Sequence, residues 1–301
     1  MKVALAYFAV ILIWATTPLA IQWSGHDNWF VGVAGRILIS AILIIPILIW
    51  MTRVRFSFHW RDIKIYLAAT LGMLGGMTPM YYAAQTMPSG WISLIFGLTP
   101  ILTGVFAFIL LKNLQLTLSK YIGILVSFAG LSIIFIPKLN FAPDQQLLLG
   151  MSLAVLGASS HSLSTVLVKK LNHGVPNTHI VAAAVWLTSF VYLLIHPQYL
   201  YQLPQLSEKS FWAITYLGVF GSLVGFILYY YVLKRIDAIR LGLITLITPI
   251  MALFLGYLLN NEPLNSRILT GAGLVIFGLI LFEFGHRISK ENLKLLTSRT
   301  L

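Results

Sequence analysis

Apolar residues occur in ten long runs along the chain, and short polar segments separate the runs. They cover residues 3–23, 30–51, 65–85, 91–111, 121–137, 147–168, 178–196, 211–233, 241–259 and 268–285. An α-helix needs about 20 apolar residues to cross the hydrocarbon core of a bilayer, and each run comes close to this length. The pattern therefore predicts an all-α integral membrane protein with ten transmembrane helices.

The basic residues indicate how these helices are oriented. If the N-terminus lies in the cytoplasm, 16 of the 20 Lys and Arg residues fall in inside segments. Three fall in outside loops, namely Lys138, Lys209 and Arg267, and Arg36 lies within the second run. Because cytoplasmic loops are enriched in Lys and Arg, we expect both termini to be cytoplasmic. Residues 286–301 then form a cytoplasmic tail of a multi-pass protein of the cytoplasmic membrane.

The composition excludes several classes of protein. Of the 301 residues, 58% are hydrophobic and 9% are charged, whereas a soluble domain is about 25% charged. The net charge is +12, but the basic residues are scattered over short loops, so no nucleic-acid partner is expected. The chain has no cysteine, which excludes disulfides and thiolate metal sites. We expect no cofactor and no metal; the expected partners are the lipid bilayer and a small-molecule substrate, with the chain a monomer or a homodimer.

The two halves of the chain are similar to each other. Residues 72–110 align with residues 221–259 without a gap, at an offset of 149. The alignment pairs Gly72 and Gly76 with Gly221 and Gly225, Tyr81-Tyr82 with Tyr230-Tyr231, and Thr99-Pro100 with Thr248-Pro249. Since each half has five runs, the second half starts on the opposite side of the membrane. The sequence predicts two inverted five-helix repeats, at 3–137 and 147–285, and inverted repeats are typical of transporters that work by alternating access. Duplication as a simple way to build a ten-helix bundle is the alternative.

Particular motifs also resemble those of a known family. They are Trp14-Ala15-Thr16-Thr17-Pro18, Arg36, Tyr81-Tyr82, Leu98-Thr99-Pro100, Tyr230-Tyr231, Ile247-Thr248-Pro249 and Glu262-Pro263-Leu264. Together they resemble the EamA-like family of the drug/metabolite transporter superfamily, over about residues 3–285. The resemblance implies a ten-helix membrane transporter, and it does not name the substrate. In the first repeat Leu111-Lys112-Asn113 stands where the family often has a Glu, so no role that needs an acid in both repeats is expected.

Seven polar or aromatic residues inside the runs are candidates for a substrate cavity. They are Trp14, Thr17, Arg36, Tyr82, His161, Trp186 and Tyr231. Polar groups at membrane depth are costly and tend to be functional. Arg36 either faces a substrate carboxylate or phosphate, or holds helix ends together. His161 either hydrogen-bonds to the substrate, relays protons or packs, since imidazole titrates near neutral pH.

Prolines and glycines at matched places suggest helix kinks and close helix packing. Pro18, and the pairs Thr99-Pro100 and Thr248-Pro249, are expected at kinks, which act either as a flexing gate or as static bends. Gly72, Gly76, Gly221 and Gly225 are expected to let helices approach closely. None of the eight acidic residues lies near the middle of a run. Coupling through a buried carboxylate is therefore not expected.

These observations favour a secondary transporter over an enzyme. The expected substrate is a small metabolite, an amino acid or a related amphiphilic compound, and the expected direction is export. Import of a vitamin or a nucleotide-like metabolite is the alternative within transport. A non-transporting partner subunit and a membrane-embedded enzyme are more distant alternatives, because no acid–base or metal constellation stands at a common depth.

Overall fold

The computed structural model describes residues 2–51, 56–111, 117–139, 145–233, 235 and 238–297, and the regular structure in these ranges is helical. The first half contains α1 (Lys2–Ser24), α2 (Trp29–Met51), α3 (Trp60–Ala83), α4 and α5 (Leu118–Leu139). Helix α4 has two segments, Ser89–Gly97 and Thr99–Leu111, which Leu98 separates.

The second half contains α6 (Gln145–Leu171), α7 (Asn177–Ile195), α8, α9 (Ala238–Asn260) and α10 (Ser266–Thr297). Helix α8 has three consecutive parts: an α-helical Glu208–Tyr216, a π-helical Leu217–Val224 and an α-helical Gly225–Leu233. Two short helical turns, Tyr199–Gln202 and Leu203–Gln205, connect α7 to α8.

Eight helices in the described part of the chain are long and apolar enough to cross a membrane. They are α1, α2, α4, α5, α6, α7, α8 and α10. Helix α3 has the length, but its Gly, Thr and Tyr residues lower its hydropathy. Helix α9 adds a shorter apolar stretch, Leu246–Asn260. The structure therefore shows a helical membrane protein, and the count of ten crossings stays a prediction.

The helices that pack together follow a regular scheme. Helix α3 packs along α6, and five helices later along the chain α8 packs along α1. Likewise α4 packs on α6 and α9 packs on α1, while α2 meets α7, α4 meets α9 and α5 meets α10. Each helix of the first half corresponds to the helix five places later in the second half. When both helices of any of these pairs are replaced by their counterparts, the result is another of these pairs or the same pair.

The α5–α10 contact shows the same relation at the level of residues. A Cβ on Gly123 would lie 2.5 Å from the Gly278 carbonyl oxygen, and a Cβ on Gly130 would lie 2.5 Å from the Gly271 carbonyl oxygen. The two backbones therefore touch at reciprocal places, as glycines allow in membrane helices.

The matched prolines do not have matched effects. Pro100 is the second residue after the break between the two segments of α4, whereas Pro249 lies inside the continuous helix α9. Pro18 is likewise inside the continuous helix α1. A proline removes one backbone hydrogen bond, and the rest of α9 continues through that gap.

Candidate functional site

A cavity of about 140 Å³ lies between six helices, three from each half of the chain. It is lined by Trp14, Thr17, Pro18, Ile21, Met77, Met80, Ser93, Phe96, Gly97, Thr99, His161, Gly221, Phe226 and Thr248. We call it the central cavity. No carboxylate is among these residues, and most of the lining is apolar.

The central cavity is lined at matched positions of the two halves. Met77 and Phe226 both line it, as do Thr99 and Thr248, and each pair has the offset of 149 seen in the sequence. Matched positions of the two halves therefore meet at this cavity.

Trp14 and His161 also occupy equivalent places. A Cβ on Gly225 would lie 3.3 Å from Nε1 of Trp14, and a Cβ on Gly76 would lie 3.4 Å from Cβ of His161. Gly76 and Gly225 are the matched glycines of α3 and α8. Because glycine has no side chain, α8 leaves room for the Trp14 ring of α1, and α3 leaves room for the His161 side chain of α6.

Aromatic side chains surround Trp14. Its ring centroid lies 4.8 Å from that of Tyr229 and 6.0 Å from that of Phe226. On the other side of the cavity the His161 ring lies 6.3 Å from the Phe96 ring. Aromatic pairs of this kind hold the rings in fixed orientations along the cavity wall.

Thr17 closes the α1 side of the cavity. Its hydroxyl donates to the Ile13 carbonyl oxygen over 2.7 Å, which fixes the side chain against its own helix. Gly72, at the other end of the α3 glycine pair, faces the Ser164 side chain, whose Cβ would be 2.6 Å from an added Cβ. Of the four matched glycines, Gly221 alone is among the residues that line the central cavity.

Arg36 lies behind this wall rather than in it. Its side chain is 1% exposed, and its Nε donates to the Ser222 hydroxyl over 2.8 Å. One turn further along α2, the Ser40 hydroxyl donates to the Gly218 carbonyl oxygen over 3.0 Å. Both contacts join α2 to the π-helical part of α8.

The remaining sequence candidates lie outside the lining of the central cavity. Tyr82 packs edge-on against Trp29, with 5.5 Å between ring centroids. Trp186 is 36% exposed, and its Nε1 donates to the Ala41 carbonyl oxygen over 2.9 Å. Tyr231 stacks under the guanidinium of Arg235, 3.8 Å from the ring centroid, at the end of α8.

A second, open groove lies between α2, α3 and α7, and the sequence did not point to it. Its volume is about 680 Å³, and its lining is Trp29, Phe30, Leu74, Gly75, Thr78, Pro79, Tyr192, Ile195 and His196. The Thr78 and Tyr192 hydroxyls are hydrogen-bonded to each other over 2.7 Å.

Glu262 joins the ends of three cavity helices. Its Oε1 accepts from the backbone N–H of Ser89 over 3.0 Å, and its Oε2 accepts from that of Gly90 over 3.1 Å. The Asn260 amide donates to Oε1 over 3.1 Å and to the Gln22 side chain over 2.9 Å. The carboxylate therefore caps the N-terminus of α4, where the helix dipole favours negative charge. We call these residues the Glu262 network.

The backbone shapes a place for this carboxylate. Asn261 has a φ of 51°, a left-handed conformation that Asn tolerates better than most residues. This turn directs the chain back towards α9, where the Glu262 N–H donates to the Gly256 carbonyl oxygen over 3.1 Å. A Cβ on Gly256 would lie 2.8 Å from the Glu262 carboxyl carbon, so the glycine leaves room for the acid.

A metal site is not formed within the described ranges. No group of three or more His, Cys, Asp or Glu side chains comes together there. The polar groups of the central cavity, namely hydroxyls, one indole and one imidazole, are suited to hydrogen bonding with a small molecule.

Comparison with known proteins agrees with this architecture. The model of the EamA-like transporter family matches residues 1–136 and 148–284. The uncharacterized transporter YoaV of Bacillus subtilis is 26% identical over 293 residues, covering 95% of this chain and 99% of YoaV. The uncharacterized inner membrane transporter YedA of Escherichia coli K12 is 25% identical, covering 93% of this chain and 90% of YedA. One crystal structure, at 20% identity, superimposes with a TM-score of 0.65 over 93% of this chain and 96% of its own, which shows a shared fold.

These matches span both halves of the chain, and the relatives are named as transporters rather than enzymes. The apolar helices agree with a position in the cell membrane. The chain therefore belongs to the EamA-like transporter family of the drug/metabolite transporter superfamily, as a multi-pass membrane transporter and not an enzyme.

Proposed function

We propose that this chain is a secondary transporter that exports small metabolites, amino acids or related amphiphilic compounds, by alternating access. The observation that carries the proposal is the central cavity, which both halves line at matched positions. Secondary transporters built from inverted repeats place their substrate site in this way.

The size of the central cavity supports a small substrate. Drug-sized ligands occupy pockets of about 300–1,000 Å³, whereas this cavity measures about 140 Å³. A dry engineered cavity of about 150 Å³ binds benzene. One aromatic ring or one branched aliphatic chain is therefore the size of group that the cavity can hold.

We further propose that ten helices cross the membrane, with both termini in the cytoplasm, and that residues 3–137 and 147–285 form the two inverted repeats. The reciprocal glycine contacts of α5 and α10 support this arrangement, because an inverted repeat requires such pairs. In alternating access each half then takes up the helix packing that the other half had before.

A carboxylate joins three helices at one end of the bundle. The Glu262 network ties α1, α4 and α9 at the end predicted to face outward. The matched place in the first repeat, Leu111-Lys112-Asn113, has no acid, and its residues 112–116 lie outside the described part. The carboxylate thus favours closure of the outward side.

Counterflow in proteoliposomes tests the proposal. Purified protein is reconstituted with a panel of unlabelled amino acids and vitamins inside, and labelled compounds are offered outside. We expect exchange of at least one amino acid or related compound, absent from protein-free liposomes. Lack of exchange for the whole panel would contradict the proposal, and exchange of vitamins alone would replace the proposed substrate class.

A pair of tryptophan variants connects that activity to the cavity. Losing the ring contacts of Trp14 removes about 0.5–1.5 kcal/mol per aromatic pair, so Trp14→Ala should raise the apparent KM by roughly two- to tenfold. Trp212, which is exposed and lies away from the cavity, provides the control Trp212→Ala. Equal KM values for the two variants would show that Trp14 does not bind the substrate.

A further inference from the structure

The start of α3 and the loop before it carry an exposed group of cations and aromatic rings, at the end of the bundle that is predicted to be cytoplasmic. The group consists of Phe58, Trp60, Arg61 and Lys64, and we call it the α3 patch. Phe58 is 76% exposed and Trp60 is 62% exposed. The Lys64 ammonium lies 5.4 Å from the centroid of the Trp60 ring, so a cation and a ring lie side by side. Exposed apolar groups with a polar rim mark contacts with a protein or a membrane.

The acid in the first turn of α3 does not neutralise the α3 patch. Asp62 is buried, the Ser57 hydroxyl donates to its Oδ2 over 2.6 Å, and Nε2 of His173 lies 3.0 Å from its Oδ1. The ion pairs found among the described residues do not involve Arg61 or Lys64, and both of these side chains are exposed. The α3 patch therefore presents two positive charges to its surroundings.

Packing holds the α3 patch in place. The Phe56 ring lies 5.1 Å from the Tyr66 ring of α3 and 5.1 Å from the His179 ring of α7, measured between centroids. The Phe58 ring lies 5.4 Å from the same Phe56 ring. These contacts fasten the segment before α3 to two helices. The α3 patch is thus a formed surface, and a ligand that binds to it has little of the chain to order.

The α3 patch continues into an exposed apolar stripe along α3. Leu67 and Leu71 are exposed, and together with Trp60 and Lys64 they lie at positions i, i+4, i+7 and i+11, which share one face of a helix. In a membrane protein, lipid tails are the apolar partner of such a face. Trp and basic side chains at the end of it then lie at the depth of the lipid headgroups.

We propose that the α3 patch binds an anionic phospholipid of the adjoining leaflet, with its phosphate held by Arg61 and Lys64 and an acyl chain along Leu67 and Leu71. Basic groups near a membrane surface attract anionic lipids, and hydrogen bonds between Lys or Arg and phosphate are strong. A zwitterionic headgroup brings its own positive charge, so the two cations favour a lipid with a net negative charge. This site does not depend on the compound that the central cavity transports.

Quenching by brominated lipids measures this preference. Leu67→Cys places a single thiol beside the proposed acyl chain, because the native chain has no cysteine, and a small apolar fluorophore is attached to it. Leu67 lies about 10 Å along the helix axis from Trp60, at the depth of mid-chain bromine atoms. The protein is reconstituted in phosphatidylcholine vesicles with increasing fractions of brominated phosphatidylglycerol or brominated phosphatidylcholine. Each basic residue near an anionic surface contributes about fivefold in binding, so we expect the phosphatidylglycerol to quench at a mole fraction on the order of tenfold lower.

Charge variants assign the preference to the α3 patch. With Arg61→Gln and Lys64→Gln combined, the two lipids should quench alike, whereas the combination of Arg61→Lys and Lys64→Arg should keep the preference. Phe190→Cys is the control reporter, because Phe190 is exposed and lies near the end of α7, which contains no Lys or Arg. We expect no preference at this position.

Three results would overturn the proposal. The first is equal quenching by the two lipids at position 67, or a preference that survives the loss of both charges. The second is an equal preference at position 190, which would show that the charge of the vesicle and not the α3 patch attracts the lipid. The third is displacement of the brominated phosphatidylglycerol by millimolar glycerol phosphate, which would identify a site for a soluble anion.

Discussion

Removing the charge of Glu262 should open the outward end of the transporter. The two carboxylate oxygens accept from two backbone N–H groups of α4, at 3.0 and 3.1 Å. In Glu262→Gln the amide oxygen can keep one of these hydrogen bonds, and the amide nitrogen then faces the other N–H. A hydrogen bond to a charged group contributes about 1.5–3 kcal/mol. The outward-closed state should lose about that much, which shifts the ratio of open to closed molecules by roughly 10- to 100-fold.

Thiol accessibility measures this shift directly. Ser93→Cys places a thiol of similar size in the lining of the central cavity, and it stands alone because the native chain has no cysteine. Intact cells are treated with a membrane-impermeant thiol reagent, and the labelling rate is compared with and without Glu262→Gln. We expect labelling about tenfold faster or more in the double variant, in line with the population shift.

An exposed acid at the same end provides the control. Glu208 lies in the first turn of α8 and is exposed, so Glu208→Gln should leave the labelling rate of Ser93→Cys unchanged. An unchanged rate in the Glu262→Gln background would refute the reasoning. It would show that the Glu262 network supports the fold without closing the cavity.

Three further predictions concern coupling, topology and pH. Transport should persist in proteoliposomes without an imposed proton or sodium gradient, because no carboxylate lines the cavity. Substrate accumulation that depends on a proton gradient and is lost in His161→Ala would instead give that residue the coupling role. In intact cells an impermeant thiol reagent should label Ala142→Cys but not Ser57→Cys, as the positive-inside bias predicts, and the reverse result would invert the topology; residue 142 lies outside the described part. The backbone N–H and hydroxyl of Ser207 donate to Asp27 over 2.8 and 2.7 Å and hold the pKa of that carboxyl well below its usual range. Asp27→Asn should therefore lower the thermal midpoint at neutral pH, and the difference should shrink as the pH falls below about 4, where the unfolded-state carboxyl becomes protonated; a difference that grows on acidification would contradict the sign.

Much of the fold could be predicted from the sequence because membrane helices are governed by one strong constraint. Each crossing must be helical and apolar over about 20 residues, so the ten runs correspond closely to α1–α10. The helix α3 shows the limit of this reasoning. It packs against α6 and α7, so its surface need not be as apolar as that of a lipid-facing helix. For this reason α3 does not reach the hydropathy of the eight helices that are apolar enough to cross a membrane.

The candidate site could be predicted only in part. Depth within a run identified Trp14, Thr17 and His161, which line the central cavity. Depth does not tell which way a side chain faces, and Trp186, at similar depth, turns towards α2 and donates to the Ala41 carbonyl oxygen. Tyr231 is also absent from the lining, because it lies near the end of α8, beside Arg235.

Other features depend on contacts between distant parts of the chain. The Glu262-Pro263-Leu264 motif was noticed as a family resemblance, but its role needs the meeting of Glu262 with Ser89, 173 residues away. Arg36 approaches Gly221 within a π-helical segment, and the apolar run at 211–233 does not distinguish that segment from regular α-helix. Gly221 was predicted from its repeat position to allow close packing, and the sequence had no signal for the cation behind it.

Reactivity of a single cysteine in place of Thr248 tests alternating access to the central cavity most directly. Thr248 lies near the middle of α9 and lines the cavity. The impermeant thiol reagent is added to right-side-out or to inside-out vesicles, in the presence and absence of the compound that exchanges in counterflow. The account predicts labelling from both sides, and protection by the substrate in both preparations. Labelling from one side only, or labelling that the substrate does not slow, would contradict the claim that this cavity is the substrate site of an alternating-access transporter.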